Sequence, residues 1–168
     1  MNRFSLTDHK EISVKYLSAT LKDATNSYNF FWLLSILEHI QQGKGERVAT
    51  EILFTKMVSQ IWYPVNYFKL SFGRFDQLAK FVKTIKENSL HSDFQDETDR
   101  NKAFQLIHDV PGSFLAPWSS KESTPLYQFN ENGDEIILDP EWLSFLKHNG
   151  EIIRGSIYLR NHPLSDIL

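Results

Sequence analysis

The feature that most constrains the fold is a nearly unbroken apolar segment over residues 30–40. Only Ser35, Glu38 and His39 interrupt it with polar side chains, and Gly43 follows as a stop signal. A helix that is apolar on almost every side is typically buried at the centre of a domain. The segment is also too short for a membrane span, which needs about 20 apolar residues. The sequence therefore predicts a central, buried helix.

Six further segments show the spacing of helices with one apolar side. Tyr63-Pro64 predicts a break or kink at the end of the third helix, because proline disfavours helical geometry at the residue before it. With the central helix included, the predicted helices are 5–22, 27–42, 50–62, 75–88, 99–108, 139–149 and 151–160. The predicted fold is all-α or nearly so. It is an orthogonal bundle of about seven helices with one small β-hairpin, in a single domain spanning 1–168.

Turn signals and the small hairpin separate the fifth and sixth predicted helices. The Pro-Gly pair in 110–112 predicts a tight turn, and a non-helical, proline-punctuated stretch over 114–118 follows it. Asn132-Gly133 predicts a type I′ turn that joins two short strands within 126–138. Asp139-Pro140-Glu141 then predicts a helix start, with a cap, a proline at the first position and an acid in the first turn.

The composition is that of a globular protein with an aromatic core. The chain has 13 Phe, 6 Tyr and 4 Trp, and each such side chain can bury about 150–250 Å². Trp62, Tyr63 and Trp118 are accordingly predicted to lie in the core. The sequence contains no cysteine, which excludes disulfides, thiol catalysis and cysteine-ligated zinc. Because the first residues lack the apolar region of a signal peptide, we expect a cytoplasmic protein with no membrane partner.

No catalytic constellation is recognisable in the sequence. His9 and His39 lack a partner at the spacing of a metal-binding His-Glu-x-x-His motif, so both are interpreted as surface or helix-end histidines. Gly43-Lys44-Gly45 lacks the rest of a phosphate-binding loop, and no serine lies in a nucleophile elbow. The acids between 91 and 100 lack the pattern of a calcium loop and are interpreted as a solvated linker. The sequence therefore predicts no catalytic residue, no metal ligand and no cofactor.

Positive charge is concentrated in one segment, although the formal net charge of the chain is −3. Between 69 and 86, five basic residues occur with a single acid, Asp76. Lys80, Lys83 and Lys86 share one predicted helix face, which is either solvated surface or a set of phosphate contacts. In the last predicted helix, Arg154, Tyr158 and Asn161 share a face, with Arg160 close by, which suits either a partner or backbone contact or packing against the hairpin. The candidate nucleic-acid contacts are Arg74, Lys80, Lys83, Lys86, Arg154 and Arg160.

A series of aromatic phrases runs along most of the chain. They include Ser27-Tyr28-Asn29-Phe30-Phe31-Trp32, Ile61-Trp62-Tyr63-Pro64-Val65, Leu70-Ser71-Phe72-Gly73, Phe114-Leu115-Ala116-Pro117-Trp118 and Tyr158-Leu159-Arg160-Asn161-His162-Pro163. In this order they resemble the amino-terminal region of bacterial proteins that carry a carboxy-terminal HNH endonuclease domain. The resemblance runs from roughly Tyr16 to His162. Gly112-Ser113 departs from the resembled pattern, in which an aromatic residue and an arginine would be expected.

The resemblance implies a non-catalytic helical module that precedes a metal-dependent nuclease. A divalent metal is accordingly expected only in an HNH domain outside this chain. The apolar-rich ending at Leu168 leads us to expect that the protein continues beyond this residue. The expected partners are DNA, the protein's own carboxy-terminal nuclease domain or another protein. The alternative is a protein-interaction or dimerisation module without nucleic-acid binding, which the negative net charge and the aromatic content favour.

Overall fold

The computed structural model describes residues 12–22, 27–72, 76–85, 105, 108–120 and 122–161, with the backbone alone for 158–161. Its helices are α1 (Val14–Thr20), α2 (Tyr28–Gln41), α3 (Thr50–Trp62), α4 (Gln77–Thr84), α5 (residues 108–114) and α6 (Pro140–Asn161). Its strands are β1 (Arg47–Ala49), β2 (Tyr127–Phe129) and β3 (Glu135–Leu138). A π-helical segment (Tyr63–Tyr67) follows α3, and a 3-10 helix (Ala116–Ser120) follows α5. The predicted fold class, mostly helical with a small β component, is confirmed.

Helix α2 lies in the core, as its apolar sequence predicts. Trp32, Leu33 and Ile36 have no exposed surface, and α2 packs against both α3 and α6. The Trp32 indole N–H donates to the Tyr127 hydroxyl at 3.0 Å, which in turn donates to the Pro111 carbonyl at 2.6 Å. These buried polar atoms are therefore paired, which offsets the cost of removing them from water. In the described part of the chain, no helix is long and apolar enough to cross a membrane.

Helix α3 ends where Pro64 predicts a break. Its buried stripe consists of Leu53, Phe54, Met57, Val58 and Ile61. After Trp62 the helix widens, and the Phe68 amide donates to the Tyr63 carbonyl, five residues earlier, at 3.0 Å. Proline has no amide hydrogen and its ring clashes with the preceding turn, so a regular α-helix is not maintained through Pro64. The predicted break is confirmed, and it takes the form of the π-helical segment.

Strand β1, which the sequence does not predict, joins the predicted hairpin in a three-stranded antiparallel sheet. The strand order is β1-β3-β2, and Ile136 of β3 pairs with Val48 on one side and Phe129 on the other. The Arg47 guanidinium and the Glu135 carboxylate form an ion pair at 2.8 Å across β1 and β3. Because β1 is only three residues long, no alternating pattern marks it in the sequence.

The hairpin is confirmed, but its turn is not of type I′. Gly133 has a φ of +76°, whereas Asn132 is not among the residues with positive φ, and a type I′ turn requires positive φ at both central positions. The Gly133 amide donates to the Asn130 carbonyl at 3.1 Å. The Asn130 side chain accepts from the Glu135 amide at 3.2 Å. The Asn130 side chain therefore organises a longer loop than the Asn-Gly pair indicates.

Helix α5 contains Pro111 and Gly112, so the predicted tight turn there is wrong. Val110, Phe114 and Trp118 recur every four positions and are all buried. Burial of this aromatic side outweighs the local preference of Pro-Gly for a turn. The prediction that residues 114–118 are non-helical is wrong for the same reason. Most of them lie in the 3-10 helix, in which Trp118 is buried.

The two helices predicted at the end of the described region are one continuous helix, α6. The described residues therefore form six α-helices instead of the predicted seven. Gly150, predicted to end a helix, is buried within α6, where an added Cβ would lie 3.5 Å from Leu37 of α2. Phe145, Leu146 and Ile153 lie on the same buried side. Packing of that side against α2 outweighs the roughly 1 kcal/mol that glycine costs in a helix.

Aspartates cap two of the helices, and the cap at Asp139 is the predicted one. Asp139 accepts from the amides of Glu141 and Trp142, at 2.9 and 3.2 Å, at the beginning of α6. Asp76 accepts from the Ala79 amide, at 2.7 Å, at the beginning of α4. Each carboxylate pairs amides that the helix itself leaves unpaired, and its charge suits the positive end of the helix dipole.

Candidate nucleic-acid interface

Asp76 fixes the start of α4 against the start of α2. Its side chain is fully buried. Besides the α4 amide, it accepts from the Ser27 amide at 2.6 Å, just before α2 begins. Both carboxylate oxygens are therefore engaged by the backbone inside the fold. Among the described residues of 62–85, the remaining charged side chains are lysines, and all of them are exposed.

Helix α4 has one buried side and one basic side. Its buried residues are Leu78, Ala79, Phe81 and Val82. Lys80 and Lys83 are exposed, and residues three apart are neighbours on a helix surface. We call these two lysines the basic patch. The predicted outward position of both lysines is confirmed.

Three exposed aromatic side chains lie in or directly after the π-helical segment, and we call them the aromatic surface. Tyr63, Tyr67 and Phe68 are 60%, 73% and 64% exposed. The Tyr67 ring meets the Tyr63 ring at 6.4 Å and the Phe68 ring at 5.1 Å between centroids, edge to face in both pairs. A contiguous exposed apolar group of this kind indicates a contact surface. Tyr63 was predicted to lie in the core and does not, whereas Trp62 and Trp118 are buried as predicted.

The aromatic surface is anchored beside the end of α4. Val65, between the exposed rings, is buried and holds the segment to the core. The Asn66 side-chain amide donates to the Val82 carbonyl at 3.2 Å, and Lys83 follows directly in the chain. Exposed Lys69 comes immediately after the aromatic surface. Lys69 therefore follows the aromatic surface in the chain, and the Asn66–Val82 hydrogen bond holds the π-helical segment to the part of α4 that carries Lys83.

The other predicted contacts lie elsewhere or outside the described residues. Arg154 is half-buried on α6, and its guanidinium donates to Oε1 of Gln41. Arg160 lies in α6, but its side chain is outside the described part. Arg74 and Lys86 are outside it entirely. Among the predicted contacts whose side chains are described, the fold places only those of the basic patch side by side.

A polar cluster lies where α2, α3 and α6 meet. The Glu38 carboxylate accepts from the Lys56 ammonium at 2.6 Å and from the Gln60 amide at 3.1 Å. Burial alone raises the pKa of Glu38. Hydrogen bonds from Lys56 and Gln60, together with the positive charges of Lys56 and Arg154, outweigh this effect and lower the pKa. A carboxylate that stays ionised in an ion pair favours a structural contribution over proton transfer near neutral pH.

His39 lies in the last turn of α2, as predicted, but it is buried, with 3% of its surface exposed. Burial lowers the pKa of His39, and the positive charges of Lys44 and Lys56 lower it further. The backbone of Gly45 acts in the opposite direction and does not cancel these effects. The imidazole is therefore a neutral part of the core at pH 7.

A cleft of about 440 Å³ lies beside the sheet. It is lined by Thr50, His108, Gly112, Phe129, Asn132, Gly133 and Asp134. The Thr50 hydroxyl donates to the Asp134 carbonyl at 3.1 Å, so it already serves to hold α3 to the hairpin loop. Within the described ranges, no three or more His, Asp or Glu side chains form a group that could hold a metal ion. The basic patch and the aromatic surface form the stronger candidate site.

Comparisons with known proteins do not assign the chain to a family. It matches no protein-family model, no curated protein and no solved structure. The resemblance to the region that precedes an HNH endonuclease domain therefore stays a prediction.

Proposed function

We propose that this chain is a non-catalytic module that contacts DNA and orients it for an HNH-type nuclease domain. The observation that carries the proposal is the basic patch, in which Lys80 and Lys83 are exposed side by side on α4. Ammonium groups on one side of a helix are suited to contact DNA phosphates. Phosphate contacts position a nucleic acid without reading its sequence, which is what an orienting module requires.

The construction of α4 supports this proposal. The opposite side of the helix is buried, and Asp76 fixes its start to α2, so the lysines project from a fixed base. Because the net charge of the chain is −3, attraction to DNA has to be local to this surface. Arg74 and Lys86 flank α4 in the sequence and are further proposed phosphate contacts. Arg160 is a further contact, whereas Arg154 contributes less because it is engaged with α2.

In this proposal the chemistry lies in another domain. The divalent metal and the histidine base that the resemblance implies belong, in this proposal, to a carboxy-terminal HNH domain. The polar cluster around Glu38 stabilises the contact between helices and takes no part in cleavage. The chain would hold the DNA, or the nuclease domain, in a fixed orientation.

Charge reversal in the basic patch tests the proposal. In Lys80→Glu/Lys83→Glu, affinity for a labelled DNA duplex should fall, and the slope of log K against log salt should become shallower by about 1.8. The reason is that two phosphate contacts are lost, at about 0.9 each. Fluorescence anisotropy between about 50 and 200 mM salt measures both quantities.

Lys22→Glu/Lys147→Glu is the matched control, since it changes the net charge equally at two exposed lysines outside α4. The control should keep most of the affinity and nearly all of the salt dependence. Equal weakening in the two variants would attribute binding to net charge alone and contradict the proposal. Unchanged binding after reversal of the basic patch would contradict it as well.

The second candidate function is a protein-interaction or dimerisation module without nucleic-acid binding. The aromatic surface favours it, because interface cores are enriched in Tyr, Trp and Phe. Sedimentation over a wide range of protein concentrations separates the two candidates. A mass that rises towards a dimer, in a protein that binds no DNA, would select the second.

A further inference from the structure

We infer that the aromatic surface of Tyr63, Tyr67 and Phe68 is a stacking platform for the unpaired bases of single-stranded DNA. The inference rests on the proposed function and adds to it the kind of DNA that the module takes. Three features carry it: the arrangement of the rings, the lysines that follow the aromatic surface and its anchor, and the backbone conformation of Lys69.

The arrangement of the rings leaves ring faces available. Both contacts within the aromatic surface are edge to face, so each contact covers one face of one ring. The remaining faces belong to side chains that are each more than half exposed. In a duplex, neighbouring bases already cover each other's faces. Protruding rings of this kind can therefore stack only on unpaired bases.

The charges beside the rings suit a nucleic acid better than a protein. Lys69 follows the aromatic surface in the chain, and Lys83 follows the residue to which the π-helical segment is hydrogen-bonded. Proteins that bind single strands combine exposed aromatic rings with positive charge along the backbone path. Protein interface cores, in contrast, are enriched in aromatic residues but depleted in lysine.

Lys69 adopts a left-handed backbone conformation, with a φ of 55°. A residue with a side chain rarely adopts this conformation, and glycine is the usual residue where a helix ends in this way. The Leu70 amide donates to the Pro64 carbonyl at 2.8 Å and closes the turn around Lys69. Backbone strain of this kind is concentrated at functional sites. A lysine in the place of a glycine keeps a positive charge next to Phe68.

Binding of two DNA probes tests the inference. The probes are a labelled oligothymidylate of about 12 nucleotides and a duplex of the same length. Wild type should bind the single strand more tightly than the duplex. Tyr67→Ala/Phe68→Ala should weaken binding of the single strand roughly tenfold or more, because two stacking contacts are lost. Its binding of the duplex, and the salt dependence of that binding, should not change, since no phosphate contact is removed.

Tyr67→Phe/Phe68→Tyr keeps both rings and is the matched control, expected to bind the single strand like wild type. All of these substitutions are at exposed positions, and equal unfolding temperatures confirm that the variants are folded. Loss of binding in the control together with the alanine variant would overturn the inference, because ring stacking would then not explain the loss.

The remaining outcomes separate the inference from the proposed function. Equal single-strand binding by wild type and Tyr67→Ala/Phe68→Ala overturns the inference alone, if charge reversal at Lys80 and Lys83 still weakens duplex binding. If wild type binds neither the single strand nor the duplex, the inference and the proposed function are both overturned. The inference is also overturned if the mass of wild type rises with protein concentration, the mass of Tyr67→Ala/Phe68→Ala does not, and the two proteins bind the single strand equally well. The aromatic surface would then be a contact between copies of the chain.

Discussion

Two aromatic-rich runs of this chain differ in burial. In α2, residues 30–32 are Phe, Phe and Trp, and all three are buried. In the aromatic surface, Tyr63, Tyr67 and Phe68 are as bulky but are more than half exposed. The difference does not follow from residue type, because the two runs draw on the same kind of side chain. It follows from the elements that surround each run.

Helix α2 is covered by α3 on one side and α6 on another, and Trp32 reaches the sheet through Tyr127. The π-helical segment is held by α3 and α4 and buries only Val65. Aromatic rings enclosed by several elements contribute to stability, whereas rings held on one side remain available to a ligand. We therefore expect substitutions in the first run to reduce the free energy of unfolding, and substitutions in the second to reduce binding.

The largest expected effect is that of Trp32→Ala. Removing a fully buried indole should lower the free energy of unfolding by about 3–5 kcal/mol, because it leaves a cavity. It also removes the donor to Tyr127, whose pKa burial raises, so that the hydroxyl stays protonated. Tyr67→Ala is the control and should change stability by no more than about 0.5 kcal/mol. Denaturant unfolding measures the free energy of unfolding of both variants. Similar losses in the two would show that the two runs do not differ in their contribution to stability.

Asp76→Ala should have the next largest effect, since this residue links the start of α2 to the start of α4. The amides of Ser27 and Ala79 would lose their acceptor, at a cost of about 2–3 kcal/mol. Asp139→Ala is the matched control, because this cap is only half-buried and its loss should cost about 1 kcal/mol. If denaturant unfolding shows equal losses of stability in the two variants, the hydrogen bond from Ser27 to Asp76 contributes nothing beyond the cap of α4.

The sequence is most informative about elements that local pattern alone determines. The apolar stretch of 30–40, the break at Pro64 and the cap at Asp139 are found where they are predicted. The predictions fail where tertiary packing overrides a local signal. Burial of the side that contains Phe114 keeps α5 helical through a Pro-Gly pair. Packing against Leu37 continues α6 through Gly150. β1 is formed by pairing with β3, which no local pattern indicates.

The candidate site was predictable only in its charged half. Lys80 and Lys83 show the spacing of one helix face, so their shared exposure follows from the pattern. The sequence does not predict the aromatic surface, because aromatic content predicts burial. A usable signal existed, since Tyr63 and Tyr67 are four apart around a proline and lie beyond the apolar stripe of α3. Which elements cover them depends on tertiary contacts that the sequence pattern does not contain.

We expect His39 to make the stability of the folded protein sensitive to acid. Its pKa in the folded protein is lowered below the ordinary value, chiefly by burial and also by Lys44 and Lys56. Below about pH 6.5 the unfolded chain therefore binds a proton more readily than the folded one. The stability that comes from keeping the imidazole neutral is fully present above about pH 6.5 and is lost as the pH falls towards the pKa of the folded state. For one proton the slope is at most about 1.4 kcal/mol per pH unit.

His39→Gln removes the titrating group and provides the test. Free energies of unfolding at about pH 7.5 and 5.5 bracket the ordinary histidine pKa. The loss of stability between these two values should be smaller in the variant than in wild type. Equal losses would assign the acid sensitivity to other groups and would leave His39 without an influence on the stability of the α2 region.

The smallest expected effect on stability is at Lys69, where the two consequences of one substitution should have opposite signs. Lys69→Gly relieves a left-handed conformation that costs about 1–2 kcal/mol, but glycine loses more entropy on folding. The net gain in the free energy of unfolding should therefore be below about 1 kcal/mol. Affinity for the oligothymidylate should fall, because a positive charge beside Phe68 is removed. Lys69→Asn is the control, since asparagine tolerates the left-handed region, and it should lose affinity equally while gaining less stability. If Lys69→Gly gains stability and keeps its affinity, the charge of Lys69 has no part in binding. If Lys69→Gly loses stability, the turn around Lys69 is not strained.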